Sequence, residues 1–200
     1  LVAGAQVSGT INNQFSMDEH EGLFRIATTS DRWTGESSSG VFVLRPEGDE
    51  LKAVGAVKGI APGEDIYATR FMGDRAFMVT FRQTDPLFTL DLSDPAAPKV
   101  VGELVLPGFS RYLHPIDESH LLGIGQSADD TGRVTGLQVS LFDVSDMAHP
   151  RRVDSIRLRE SSDQYCIGNL TTDAGTYRVY IYLKNSGDEV NIEELRFDKG

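Results

Sequence analysis

Cysteine is almost absent from this chain of 200 residues, and the single one, Cys166, cannot form a disulfide within it. Its apolar neighbours Tyr165 and Ile167 predict a small buried side chain rather than a nucleophile. Histidine is also scarce, and the four present never have the His-x-x-x-His spacing of zinc ligands. No apolar run reaches the roughly 18 residues that a membrane-spanning helix needs, so we expect no crossing of a membrane.

Basic residues are too few to balance the acidic ones. The 19 Lys and Arg stand against 30 Asp and Glu, which gives a net charge of −11 and an isoelectric point of about 4.7. Because an acidic field repels phosphate backbones, nucleic acid is not an expected partner. The nucleophile motif Gly-x-Ser-x-Gly and the phosphate-binding glycine loops are missing as well. The sequence therefore carries no signature of serine-hydrolase or nucleotide-binding chemistry.

What the sequence does contain is a repeat. Residues 91–99 (DLSDPAAPK) nearly match residues 143–151 (DVSDMAHPR), 52 positions further along the chain. Each copy ends one strand and opens another through a proline-containing turn, with a period typical of β-propeller blades. The aspartates recur at the same turn, which indicates capping of backbone N–H groups rather than a metal-binding pair of carboxylates.

Alternating apolar residues and regularly spaced turn residues divide the chain into cycles of four short strands. The blades predicted from this pattern are 1–60, 61–107 and 108–160, with Gln14–Asp18 as the first strand. Residues 161–200 hold three further strand patterns, which predict either a partial fourth blade or the start of a small β-sandwich. The expected fold is all-β: a partial β-propeller of about three and a half four-stranded antiparallel blades.

About three and a half blades are too few to close a ring, because propellers use about 4–8. An open array would leave unpaired strand edges at both ends. The chain also begins with Leu1 rather than with Met. We therefore expect a fragment of a longer parent chain, whose remaining blades, or a partner, complete the ring.

Four short segments carry a family resemblance: residues 11–19 (INNQFSMDE), 70–77 (RFMGDRAF), 80–87 (TFRQTDPL) and 113–118 (LHPIDE). They are similar to a family of secreted bacterial and archaeal proteins whose β-propeller is distantly related to WD40 repeats, and the match covers residues 1–158. The resemblance implies a propeller that is extracellular or on the cell surface, often beside other modules. It implies no catalytic residue.

Binding residues are expected in the connections between the fourth and first strands and between the second and third strands. In a propeller these loops surround one mouth of the central channel. They combine a tryptophan with arginines and acids, which are residue types of recognition surfaces. The candidate residues are Trp33, Glu64, Arg82, Gln83, Asp85 and Arg111.

No cofactor is expected, and calcium near Asp129 and Asp130 is only a weak candidate because the regular ligand spacing of a calcium loop is missing. The first hypothesis is a non-enzymatic, extracytoplasmic binding or scaffold module for a protein or a glycan. The alternative is a hydrolase or lyase that acts on an extracellular polymer through carboxylates at the channel mouth. A third hypothesis is a structural spacer between surface modules.

Overall fold

The structure is a computed structural model that describes residues 2–30, 37–81, 85–128, 133–158, 164–173, 175–184 and 190–198. These residues form fifteen β-strands and one short 3₁₀ turn, and no α-helix lies among them. Within the same ranges, no helix combines the length and the apolar character that a membrane span requires. The expected all-β class is confirmed.

The strands form four antiparallel sheets in chain order, and consecutive strands are hydrogen-bonded neighbours within each sheet. Sheet 1 contains β1 (Met17–His20), β2 (Leu23–Thr29), β3 (Ser39–Glu47) and β4 (Glu50–Ile60). Sheet 2 contains β5 (Asp65–Met72), β6 (Arg75–Phe81), β7 (Asp85–Asp91) and β8 (Lys99–Leu106). Sheet 3 contains β9 (Phe109–Pro115), β10 (His120–Ala128), β11 (Val134–Asp143) and β12 (Arg151–Leu158). Sheet 4 contains β13 (Gln164–Asp173), β14 (Thr176–Lys184) and β15 (Val190–Asp198).

The first strands of sheets 1, 2 and 3 lie side by side. β5 contacts both β9 and the 3₁₀ turn Gln14–Ser16, which leads directly into β1. Because the order within each sheet follows the chain, the later strands lie progressively further from these first strands. Sheets 1, 2 and 3 are therefore arrayed about a common inner line, and the partial β-propeller predicted from the repeat is confirmed.

Three apolar cores lie between consecutive sheets. The core between sheets 1 and 2 includes Ala27, Val41, Met78 and Leu90. The core between sheets 2 and 3 includes Phe77, Val79, Leu121 and Phe142. The core between sheets 3 and 4 includes Val139, Leu141, Val179, Ile181 and Phe197. The second and third strands of sheets 2 and 3 are covered on both faces, so they appear in the sequence as nearly continuous apolar runs.

A β-bulge recurs between the third and fourth strands of the first three sheets. The pairing register shifts by one residue and leaves Val54, Val101 and Val153 as the extra residues. The residue after each bulge valine occupies an equivalent position in its sheet, and these residues are Gly55, Gly102 and Asp154. A bulge increases the local twist and bends the strand, which sets the shape of the outer edge of each blade.

The repeated Asp-containing turns have the same internal bonds. Asp91 Oδ1 accepts hydrogen bonds from the backbone N and the hydroxyl of Ser93, at 3.0 and 2.6 Å. Asp143 Oδ1 accepts the corresponding two bonds from Ser145, at 2.9 and 2.7 Å. The second aspartate of each turn, Asp94 or Asp146, accepts from a backbone N–H two residues further on. The capping role predicted from the repeat is thus present in both copies.

Each of these turns packs against the glycine after the bulge in the preceding sheet. A Cβ atom built on Gly55 would lie 2.7 Å from the backbone carbonyl carbon of Ala96. A Cβ on Gly102 would lie 3.0 Å from the carbonyl oxygen of Ala148 and 2.7 Å from Thr89 Oγ1. The hydroxyl of Thr89 also donates to Met147 O at 2.5 Å. Close approach between blades therefore requires a residue without a side chain at these two positions.

The N-terminal segment lies on sheet 1, on the face opposite to sheet 2. Thr10 forms an antiparallel bridge with Thr29, and the carbonyl oxygen of Ser8 accepts a hydrogen bond from Thr28 Oγ1 at 2.8 Å. Strand alternation places Phe42, which is buried, on the same face as Thr28. The segment therefore covers apolar surface that would otherwise be open to solvent.

The first predicted strand, Gln14–Asp18, is partly wrong. Residues Gln14–Ser16 form the 3₁₀ turn and the strand begins at Met17. Asn13 explains the difference because its side chain accepts a hydrogen bond from Phe15 N at 2.9 Å and caps the turn. The turn moves Phe15 out of the sheet and towards the inner line of the blades.

Candidate binding face at the channel mouth

The connections predicted to share one face do lie together where the chain is described. Gly63, between β4 and β5, donates its backbone N–H to Ser37 O, just before β3, at 2.5 Å. Ile66 N donates to Thr29 Oγ1, at the end of β2, at 3.1 Å. The connection between sheets 1 and 2 is thus hydrogen-bonded to the end of β2 and to the residues just before β3. These residues all lie at the end of the blades where β5 begins.

Four of the six candidate residues cannot be placed. Trp33, Arg82 and Gln83 lie outside the described residues, and so do Asp129 and Asp130 of the weak calcium candidate. The backbone of Asp85 opens β7, but its side chain is outside the described part of the structure. The roles predicted for these residues stay predictions.

Glu64 has a partner within its own sheet. One carboxylate oxygen accepts a hydrogen bond from the hydroxyl of Thr80, a buried residue of β6, at 2.5 Å. The backbone N–H of Glu64 donates to Ala61 O at 3.1 Å and closes the turn between β4 and β5. Glu64 therefore fixes the shape of the mouth, and this engagement makes it a positioning residue rather than a first choice for ligand contact.

Arg111 is exposed and lines an open cleft of about 300 Å³ at the mouth. The other residues that line the cleft are Asn12, Asn13, Ile66 and Tyr67. They come from the chain before β1 and from the first residues of β5, while Arg111 comes from β9. Three neighbouring blades therefore contribute to one concave site, which is the usual position of ligand sites in propellers and other repeat folds.

The two asparagines each use part of the side-chain amide to hold the cleft in shape. Asn12 Nδ2 donates to Tyr67 O at 2.7 Å and ties the N-terminal segment to sheet 2. Asn13 Oδ1 accepts from Phe15 N. These bonds do not use the oxygen of Asn12 or the NH₂ group of Asn13, so the cleft has one hydrogen-bond acceptor and one donor available from its asparagines.

Aromatic rings form the wall behind Tyr67 and Arg111. The ring centroid of Tyr67 lies 5.3 Å from that of Phe81 and 5.4 Å from that of Phe109, both edge to face. The guanidinium carbon of Arg111 lies 5.2 Å from the Phe109 centroid. These contacts stabilise both the position of the wall and the orientation of the Arg111 charge.

A second arginine lies along the same inner strands. The guanidinium carbon of Arg70 is 4.1 Å from the Phe15 ring centroid and 5.3 Å from that of Tyr112, and its Nε donates to Leu113 O at 2.8 Å. Its Nη2 is buried and has no hydrogen-bond partner among the described residues. Burial, and then the charge of Arg70, lower the pKa of His114, so this imidazole is neutral at pH 7.

Sequence reasoning identified Arg111 but missed Asn12, Asn13, Tyr67 and Arg70 as site residues. The asparagines and Arg70 occur within the segments that carry the family resemblance, and Tyr67 is the third residue of β5. For the asparagines and Tyr67, a position just before or near the start of a first strand is the signal that could have singled them out. Bringing Asn12 to Tyr67 depends on the path of the N-terminal segment, which no local pattern predicts.

Carboxylates do not gather into a catalytic or metal-binding group in the part of the chain that the structure describes. No cluster of three or more His, Cys, Asp or Glu residues occurs there. The carboxyl groups with shifted pKa values are all shifted downward, among them Asp91, Asp143 and Glu194. A general acid needs a raised pKa, and none of these groups has one.

The radial sheets define a β-propeller, a fold that generally serves as a binding or scaffold module. Comparison with known families identifies the same fold. The chain belongs to the family described as beta propeller domain, which it matches over residues 1–171. Residues 147–198 also match a domain of unknown function, which overlaps the end of the propeller match.

Two curated relatives are archaeal proteins. The chain is 44% identical to the uncharacterized protein MJ1554 of Methanocaldococcus jannaschii over 159 residues, covering 78% of this chain and 24% of the relative. It is 47% identical to an uncharacterized protein of Archaeoglobus fulgidus over 154 residues, covering 77% of this chain and 23% of the relative. The chain thus spans about a quarter of the length of these relatives.

Among solved structures, the chain is similar to Sqt1 from Chaetomium thermophilum. The TM-score is 0.52 at 12% sequence identity, and the alignment covers 84% of this chain and 42% of Sqt1. At this identity the likeness concerns the fold alone.

Proposed function

We propose that this chain is the part of an extracytoplasmic β-propeller that binds a protein or glycan ligand through the cleft at its channel mouth. A single observation carries the proposal: an exposed arginine, two partly engaged amides and an aromatic wall converge on a cleft of about 300 Å³ from three neighbouring blades. Few convergent polar groups on an apolar wall are typical of ligand sites. The extracellular or cell-surface location is supported by the family resemblance of the sequence.

The structure favours binding over the alternative of a hydrolase or lyase. Glycoside cleavage needs two carboxyl groups, one of them with a raised pKa. Glu64 and Asp65 are described carboxylates at the mouth, and Glu64 accepts a hydrogen bond from Thr80. Arg111 and its aromatic wall fit recognition instead, because arginine and aromatic residues are enriched where binding energy concentrates.

The test is a binding screen with matched arginine variants. Wild type, Arg111→Ala and Arg157→Ala are applied to an array of neutral glycans, acidic glycans and peptides, and their thermal unfolding is recorded. Arg157 is an exposed residue of the outer strand β12 and serves as the control. We expect a ligand whose signal is lost in Arg111→Ala and kept in Arg157→Ala, with unchanged melting temperatures.

Two results would contradict the proposal. One is a ligand that binds wild type and Arg111→Ala equally. The other is turnover of a polymer on the array by wild type that Arg111→Ala retains, which would support the hydrolase or lyase alternative.

A further inference from the structure

We propose that the ligand of the channel-mouth cleft is an acidic glycan, and that Arg111 binds the carboxylate of a uronic acid unit. This inference rests on the proposed function, because it names the ligand class of the same cleft. It begins with the groups that contact the Arg111 guanidinium.

Three arginines of the described chain form ion pairs with carboxylates, whereas Arg70 and Arg75 bond backbone carbonyl oxygens. Arg25 bonds Asp18 at 2.6 Å, Arg151 bonds Asp143 at 2.7 Å, and Arg196 bonds Glu194 at 2.7 Å. Arg111 instead lies against the ring of Phe109, and within the described residues no carboxylate forms an ion pair with it. In a chain of net charge −11, an arginine that neighbouring acids have not neutralised is suited to a negative group from outside.

The contact with the Phe109 ring, 5.2 Å from the guanidinium carbon to the ring centroid, holds the Arg111 side chain at the cleft. A guanidinium binds a carboxylate through two parallel hydrogen bonds, a geometry that lysine cannot reproduce. Holding the side chain in place before binding also reduces the conformational entropy that a flexible arginine would lose.

The rest of the cleft favours a sugar as the bearer of that carboxylate. The unused oxygen of Asn12 and NH₂ group of Asn13 suit hydroxyl groups, which both donate and accept. The volume of about 300 Å³ lies at the lower end of ligand pockets, which suits a single ring rather than a folded surface. An acidic peptide would present a carboxylate without hydroxyls around it, and it is the competing ligand class in the test.

The experiment compares glucuronate, its neutral methyl ester and an acetylated, amidated glutamate peptide. Binding is followed by chemical-shift changes in ¹H–¹⁵N spectra and by saturation transfer. We expect wild type to bind glucuronate at least about tenfold more tightly than the ester, as for a charged, bidentate hydrogen bond. Arg111→Lys is expected to lose most of this preference, Arg111→Ala all of it, and Arg157→Ala none.

Each other outcome overturns the inference. Equal affinity for glucuronate and its ester would show that the carboxylate is not recognised, and tighter binding of the glutamate peptide would show that the ligand class is wrong. If wild type binds none of the three probes, the acidic-glycan inference fails. A neutral ligand from the array that still depends on Arg111 would then leave the proposed function standing, so the two failures are distinguishable.

Discussion

Asp91 and Asp143 show how one residue type shapes the blades at the smallest scale. Each accepts two hydrogen bonds from the serine two positions ahead, and each also faces a basic residue across the turn, Lys99 or Arg151. The bonds from Ser145, and then the charge of Arg151, lower the pKa of Asp143 from the usual 3.8 to about 2. The folded protein therefore stabilises the charged form of the aspartate relative to the neutral acid.

This pKa predicts how Asp143 contributes to stability as a function of pH. Since the folded-state pKa is lowered, the contribution is fully present above about pH 4 and is lost as the pH falls towards 2. Asp143→Asn is therefore expected to lower the melting temperature at pH 5 and to have little effect at pH 2. Thermal unfolding followed by circular dichroism between pH 2 and pH 6 measures this difference.

The matched control for Asp143→Asn is Glu103→Gln, which removes the same charge from an exposed position on β8. A melting-temperature difference between wild type and Asp143→Asn that stays constant over the whole pH range would contradict the assignment. It would show that the turn is stabilised by shape and neutral hydrogen bonds alone.

Between elements, the Asp-containing turn of one blade meets the bulge glycine of the blade before it. Gly55 receives the turn of sheet 2, and Gly102 receives the turn of sheet 3. The equivalent residue of sheet 3 is Asp154, which is exposed. An exposed side chain thus stands at this position in sheet 3, whereas the glycines of sheets 1 and 2 are each covered by a turn.

The contact predicts a large effect of one methyl group. Gly102→Ala would place Cβ against backbone of the 146–149 turn and 2.7 Å from Thr89 Oγ1, so sheets 2 and 3 must separate. We expect the free energy of unfolding to fall by about 1–3 kcal/mol, as in overpacked cores. Gly4→Ala, at a position with nothing within 4 Å, is the control and should change it little. Denaturant unfolding measures both, and equal stability of the two variants would contradict the packing.

Local patterns predict much of this architecture, and their limits have a physical cause. Strands such as β6 and β10 are evident in the sequence because both faces are buried, and the turn after Asp91 is evident because its bonds are local. The packing of that turn on Gly55 joins distant residues, so no local pattern contains it. Arg111 was predicted in a connection and lies instead within β9, but its place near the start of a first strand made it predictable. Its neighbour Asn12 was not predictable, because their proximity joins distant parts of the chain.

At the scale of the whole molecule, each of the three interfaces between consecutive sheets has a polar contact of the same kind. In each, a side chain on the second strand of one sheet bridges to the first hairpin, or the residue just after it, of the next sheet. Arg25, on the second strand of sheet 1, donates to Gly73 O in the first hairpin of sheet 2 at 2.5 Å. Arg75 of sheet 2 donates to Glu118 O in the first hairpin of sheet 3 at 2.7 Å. His120 of sheet 3 is 3.2 Å from the hydroxyl of Tyr177, which follows the first hairpin of sheet 4. Of the two predictions for residues 161–200, the third bridge favours a partial fourth blade over the start of a small β-sandwich.

If sheet 4 is a blade, its inner face belongs to the cooperative core of the propeller. Ile181 is fully buried against sheet 3, while Ile192, in the same sheet, is 61% exposed on the opposite face. Ile181→Ala is expected to lower the free energy of unfolding by about 2–5 kcal/mol, and Ile192→Ala by less than about 0.5 kcal/mol. Fluorescence of Trp33, the single tryptophan, which lies between β2 and β3 in the sequence, provides one readout and circular dichroism the other. If the propeller unfolds as one unit, the fluorescence midpoint in urea should shift with Ile181→Ala. An unchanged midpoint, with only a separate low-denaturant change in circular dichroism, would mean that residues 161–200 unfold on their own and are not a blade.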